Sequence, residues 1–198
     1  MIKALIKLAE KGVLPDLFIR LGIKRLCGQR LSEAGALGLK DLENSHQQWI
    51  DILTESPVAM LPEKANEQHY EVPPQFFELV LGANLKYSSG YWTKGIPSLD
   101  ESEQEMLKIT CERAELADGQ DILELGCGWG SLTCFMAQKF PNSKITAVSN
   151  SKDQRIFIEQ KIDKLNLQNI KVVTADMNDF STDEKFDRVI SIEMFEHM

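Results

Sequence analysis

Residues 191–198 read SIEMFEHM, and five successive positions hold two carboxylates, Glu193 and Glu196, and an imidazole, His197. Carboxylates draw a cation toward them, and a carboxylate beside an imidazole can accept a proton near neutral pH. The cluster follows FDRVISI, an apolar run with the length and composition of a buried strand. Ligands of α/β proteins bind at the C-terminal ends of parallel strands, so the cluster reads as part of an active site. Without such a setting the same three side chains would be a solvated strand end.

A second stretch, Glu124-Leu-Gly126-Cys-Gly128-Trp-Gly130, lies between strand-like DILEL and helix-like WGSLTCFMAQKF. Glycines belong where the backbone turns sharply and a ligand must lie against it. The dinucleotide fingerprint G-x-G-x-x-G is not met, because Ser131 takes the place of its last glycine. The spacing G-x-G-x-G, with an acid two residues ahead, resembles the nucleoside-binding loop of S-adenosylmethionine-dependent methyltransferases. That ligand carries an amino group and a sulfonium in place of a pyrophosphate, which gives Glu124 a purpose. About 20 residues on, where a ribose is addressed, the chain offers Ser149 and Asn150, with Gln154 one helical turn later. Their hydroxyl and amide groups can bond ribose hydroxyls, or simply cap a helix. After the next strand, Asp176 can accept from an adenine amino group and Met177 can lie on the ring face.

Strands and helices alternate around these motifs. DILEL, KITAVS, NIKVVTA and FDRVISI are the strands. Ser98 with Glu101 forms a capping box for a helix to about Leu116, and Ser151 with Gln154 caps another through Leu165. Such alternation predicts right-handed βαβ units and a parallel sheet. Upstream, a helix from Ile2 stops at Gly12, a second follows Pro15 to about Cys27, and a third covers about 37–53. SPVAMLPEKANE, with two prolines, reads as a linker and places the domain boundary near residue 65. The expected domains are 1–65, a helical extension, and 66–198, the cofactor-binding body.

The net charge of −8 is uneven: residues 1–40 carry about +5 and the remainder about −13. An acidic body excludes nucleic acid as a partner, whereas the basic N-terminus suits an anionic membrane surface. No apolar run reaches a membrane span, and the lysine-interrupted N-terminus lacks a signal-peptide core, so the expected location is cytoplasmic. The four cysteines form no C-x-x-C pair and are expected to be buried, reduced thiols. No His/Cys/carboxylate spacing indicates a metal. His46 reads as a surface residue and His69 as a packing residue.

Taken in order, HYEVPPQFFELVLGANLKYSSGYW, LELGCGWGSL, AVSNSKDQ and DRVISIEMFEHM resemble the cyclopropane-fatty-acid synthase superfamily of methyltransferases. Within it they are most similar to the branch containing plant coclaurine N-methyltransferase. The resemblance implies a Rossmann-like class I fold of the α/β class, with S-adenosylmethionine as cofactor. It implies that Tyr87, Ser88, Gly126, Gly128, Ser149, Asn150, Gln154, Asp176 and Met177 line that cofactor and that Tyr70 caps the pocket. Glu193, Glu196 and His197 would then face the substrate, near Ser89 and Trp92.

Lipid cyclopropane synthases of this superfamily typically read Y-S-C and carry a small residue where this chain has Glu193. Here the triplet is Tyr87-Ser88-Ser89, so both positions favour the amine branch. Methylating an amine requires a neutral nitrogen lone pair held close to the methyl group. Glu193 would attract the substrate ammonium, and Glu196 with His197 would accept its proton. Alkylating a lipid alkene would instead build a carbocation, stabilised by the carboxylates and the faces of Phe195, Trp92 and Tyr70. The cluster serves either chemistry, and a non-catalytic cofactor-binding module is a third reading.

The usual sheet of this fold has seven strands in the order 3-2-1-4-5-7-6, and four are legible here. The expectation is therefore an N-terminal part of a longer enzyme, or a truncated reading frame. Alone, it would turn over no substrate and would self-associate through its fourth strand.

Overall fold

The computed structural model describes residues 2–35, 39–59 and 73–197. They belong to two units, residues 1–55 and residues 56–198.

The first unit consists of helices α1 (Ile2–Glu10), α2 (Asp16–Gly35) and α3 (Leu39–Glu55). Helix α1 ends in a Schellman turn: Gly12 sits at φ +67°, and the Val13 N–H bonds the Leu8 carbonyl at 3.1 Å. Helix α2 runs on to Gly35 rather than ending near Cys27. Gly28 is a weak breaker, and the good helix formers Gln29, Arg30 and Leu31 follow it. Cys27 is exposed on that helix, which corrects the expectation of four buried thiols; Cys111, Cys127 and Cys134 are buried. His46 is exposed on α3, and His69 lies outside the described residues. Among the described residues no helix is long and apolar enough to cross a membrane.

The second unit is a parallel sheet with helices. Strands β1 (Asp121–Leu125), β2 (Lys144–Ser149), β3 (Ile170–Thr174) and β4 (Arg188–Ser191) pair in the order β3-β2-β1-β4. Each strand lies within its expected run. The helices are α4 (Pro74–Val80), α5 (Leu99–Arg113), α6 (Ser131–Lys139) and α7 (Lys152–Leu165), and a 3₁₀ turn spans Phe195–His197. The crossovers from β1 to β2 and from β2 to β3 step the same way, so right-handed connections put α6 and α7 on one face.

The core fills the space beneath that face. Ile122, Ile145 and Ile190 from the sheet meet Leu107 and Cys111 of α5 and Leu132 and Met136 of α6. Ile158 of α7 closes over Cys127 and Ala147. The caps fix where each helix begins and ends. The Ser98 hydroxyl accepts from the Glu101 N–H and donates to the Glu101 carboxylate, and Ser151 accepts from the Gln154 N–H. Helix α5 stops at Arg113, short of Leu116, because Glu115 turns left-handed and the Leu116 N–H bonds the Cys111 carbonyl at 3.0 Å.

Candidate functional site

Glu124 lies next to the end of β1, two residues beyond core-facing Ile122, so the alternation of the strand turns it inward. It is 4 % exposed. A carboxylate there loses its hydration, and only partial compensation is at hand: the Thr133 hydroxyl of α6 donates to it, and Lys86 attracts it. Burial wins and pushes the Glu124 carboxyl up to about 7.

Beyond Leu125 the backbone leaves the sheet, and the Gly126 and Cys127 N–H groups both bond the Val148 carbonyl at 3.0 Å. The three loop glycines have different tasks. A Cβ at Gly126 would come within 2.7 Å of the Met194 sulfur, so the segment after β4 lies directly on the loop. A Cβ at Gly130 would come within 2.8 Å of Ile158, so α7 packs directly against it. A Cβ at Gly128 would meet nothing within 4 Å, and that residue borders open space.

The turn carrying Tyr87 and Ser88 is held from below. Glu103 of α5 is fully buried, and its carboxylate accepts the N–H groups of Gly82 (2.8 Å), Asn84 (3.0 Å) and Lys86 (3.2 Å). An aromatic row fixes it from the side: Phe77 contacts Tyr87 at 5.5 Å and Trp129 at 5.0 Å between ring centroids, and Trp129 contacts Phe157 at 5.3 Å. Helix α4, the glycine loop and α7 are thereby tied together.

These elements enclose a cavity of about 490 Å³ beyond the ends of β1 and β4. It brings together Tyr87, Ser88, Glu124, Gly126, Gly128, Glu193 and Glu196 from the sequence-based set. Glu193 reaches the rim on a left-handed backbone, φ +54°, a strained setting for a residue other than glycine. His197 lies in the 3₁₀ turn beside Glu196, with its side chain outside what the structure describes.

The remaining candidates do not line this cavity. Ser149 and Gln154 are buried and bonded to each other, hydroxyl to amide oxygen, at 2.6 Å, and Asn150 is exposed beside them. Asp176 accepts the Asn178 N–H at 2.8 Å, and Met177 is half-buried after β3. Ser89 and Trp92 are exposed, as is Phe195, and Tyr70 lies outside the described residues.

The structure adds groups that the sequence did not single out. Lys86 is buried on the cavity wall and donates to the Ser88 hydroxyl at 2.6 Å. Its position next to Tyr87 was the available signal, but burial of a lysine is not legible in a sequence. Burial lowers the Lys86 ammonium below its ordinary value, against the attraction of Glu193, Glu103 and Glu124. The wall also includes Trp129, Cys127 and Ser131. Burial pushes the Cys127 thiol well up, so it is a neutral packing group rather than a nucleophile. The Ser131 hydroxyl is buried with no partner among the described residues.

The parallel 3-2-1-4 order, the glycine loop and the cavity at the strand ends together make this a Rossmann-like class I methyltransferase fold. Residues 60–198 match the family described as mycolic acid cyclopropane synthetase, and the chain belongs to that family. It is 39% identical to (S)-coclaurine N-methyltransferase of Thalictrum flavum subsp. glaucum, over 98% of this chain and 54% of that protein. It is 32% identical to cyclopropane-fatty-acyl-phospholipid synthase of Escherichia coli (strain K12), over 67% of this chain and 33% of that one. Among solved structures, coclaurine N-methyltransferase bound to N-methylheliamine and SAH superposes with a TM-score of 0.88 at 36% identity, over 98% of this chain and 56% of that one. A mycolic acid cyclopropane synthase complexed with SAH and CTAB gives a TM-score of 0.59 at 27% identity, over 66% and 45%. The chain spans about half the length of the coclaurine N-methyltransferases it matches.

Proposed function

We propose that this protein binds S-adenosylmethionine and transfers its methyl group to the nitrogen of a small amine. The observation that carries this reading is one cavity that joins the glycine loop and the Tyr87-Ser88 turn to the carboxylates of Glu193 and Glu196. Its walls fit the cofactor: open space at Gly128, a Ser131 hydroxyl without a partner among the described residues, and a buried carboxyl, Glu124, able to meet an amino group. When bound, that cofactor supplies an electrophilic methyl group on sulfur. Gly126 and Gly128 let the ligand approach the backbone, and Tyr87 and Ser88 cover it. Ser149, Asn150, Gln154, Asp176 and Met177, at the ends of β2 and β3, would hold the nucleoside. Glu193 draws a cationic amine to the rim, and Glu196 with His197 removes its proton. Residues 66–198 form the cofactor-binding domain in this reading, and residues 1–65 a helical extension.

Similarity to N-methyltransferases over nearly the whole chain supports the amine acceptor, as do Ser89 and Glu193. Other parts of the proposal are a cytoplasmic location, contact of the basic helical unit with anionic membrane, and self-association through β4.

Calorimetry of the family-length protein with S-adenosylhomocysteine and with NAD tests the cofactor. The expected outcome is binding of the first only, abolished in Gly128→Val; preferential NAD binding would end the methyltransferase reading. Labelled S-adenosylmethionine, given to the family-length protein with a panel of amines and with unsaturated anionic vesicles, tests the acceptor. Label confined to acyl chains would replace the amine by a lipid. Sedimenting the same vesicles at low and high salt reads membrane contact, which is expected to weaken as salt rises.

A further inference from the structure

Lys86 is 4 % exposed, and among the described residues its ammonium has one hydrogen-bond acceptor, the Ser88 hydroxyl at 2.6 Å. It forms no ion pair there within 4.0 Å. Glu193, Glu103 and Glu124 act on it only at longer range. Glu103 is already committed to three backbone N–H groups, and Glu124 to the Thr133 hydroxyl. A buried ammonium normally has an anion in contact, because its lost hydration is otherwise uncompensated. Two of its three hydrogens, and the hydroxyl hydrogen of Ser88, lack an acceptor among the described residues. The ammonium and the hydroxyl sit side by side on the cavity wall and together offer a donor to each oxygen of a carboxylate. On the same wall, the buried Glu124 carboxyl is raised to about 7 by burial and ionises when a cation lies beside it. A cavity with a buried ammonium and a buried carboxyl that a cation ionises is complementary to a zwitterion.

We infer that Lys86, with Ser88, is the recognition site for the carboxylate of the cofactor's amino-acid arm, while Glu124 faces the α-ammonium of that arm. This rests on the S-adenosylmethionine reading above and assigns the charge recognition within it. It makes Lys86 a specificity residue: the site selects ligands with an intact amino-acid end over nucleosides that lack one.

The test compares S-adenosylhomocysteine with its decarboxylated analogue, which keeps the nucleoside, thioether and amine and lacks only the carboxylate. Calorimetry on the unmutated chain is expected to show the acid binding about tenfold or more tightly, the range of a charge-assisted hydrogen bond. Lys86→Met should remove that preference by weakening the acid alone, and Lys86→Arg should retain most of it. An unmutated protein that binds both ligands equally would overturn the assignment while leaving the cofactor reading intact. Lys86→Met weakening both ligands by the same factor would also overturn it, since that is the mark of a structural lysine. If Lys86→Met fails to fold, as judged by circular dichroism, the unmutated comparison and Lys86→Arg decide alone. Binding of neither ligand by the unmutated chain would instead bring down the cofactor reading itself.

Discussion

At Glu124 burial opposes charge and wins. Its carboxyl titrates near 7 in the folded protein because burial outweighs the Thr133 hydrogen bond and the attraction of Lys86. In the unfolded chain it titrates near its ordinary 4.5. Between those values the native state holds a proton that the unfolded state has released. Stability contributed by this group is therefore full below about pH 4.5 and is lost as pH rises to about 7. The shift corresponds to on the order of 3 kcal/mol. Thermal melts from pH 5 to pH 8 are expected to show Glu124→Gln gaining on the unmutated protein as pH rises. Parallel curves would mean that Glu124 is ionised throughout. A ligand ammonium beside Glu124 has the opposite sign: it favours the ionised form, so its binding should release a proton near pH 6.5.

At the scale of the element, the glycine loop separates packing from recognition. Gly130 is left-handed at φ +72°, and its would-be Cβ stands 2.8 Å from Ile158 of α7. Alanine there incurs the left-handed penalty and also pushes α7 off the sheet, about 2–4 kcal/mol in all. Gly128 is also left-handed, at φ +52°, but a Cβ there enters open space. Gly128→Ala is therefore expected to cost only about 1–2 kcal/mol while weakening S-adenosylhomocysteine binding. Denaturant melts and calorimetry on the two variants should separate cleanly. Equal stability losses would show that the loop and α7 are less closely packed than 2.8 Å implies.

At the scale of the molecule, β4 has a partner on one side only among the described residues, β1. Val189 on its outward face is 61 % exposed, whereas Ile190 beside it is buried. An apolar strand with an open row of N–H and C=O groups is a template for pairing with another copy. Sedimentation velocity of the 198-residue chain is expected to show concentration-dependent self-association. Val189→Lys should reduce it, because a charged side chain on an edge strand opposes its pairing with another copy. A monodisperse monomer at all concentrations would remove β4 as an association site.

The elements of the sheet were legible because their signals are local. DILEL, KITAVS and FDRVISI are short apolar runs bounded by turn residues, and Ser98, Ser151 and the glycine loop mark helix starts by chemistry that neighbours in sequence supply. The cluster Glu193, Glu196 and the loop Gly126, Gly128 were legible for the same reason, each being compact in sequence. Helix α2 ran past its expected end because a single glycine in a helix-forming stretch sends an ambiguous signal. Lys86 and Glu103 could not be read in advance. Whether a charged side chain is buried depends on what covers it, and here the cover comes from segments distant in the chain. Glu103 reaches back across about twenty residues to hold the turn at Gly82 and Asn84. Sequence alone thus determined the strands, the loop and the family's motifs, through periodicity and local chemistry. Only the tertiary structure decided which charges face one another in the cavity, because desolvation and long-range pairing arise only when the chain has folded.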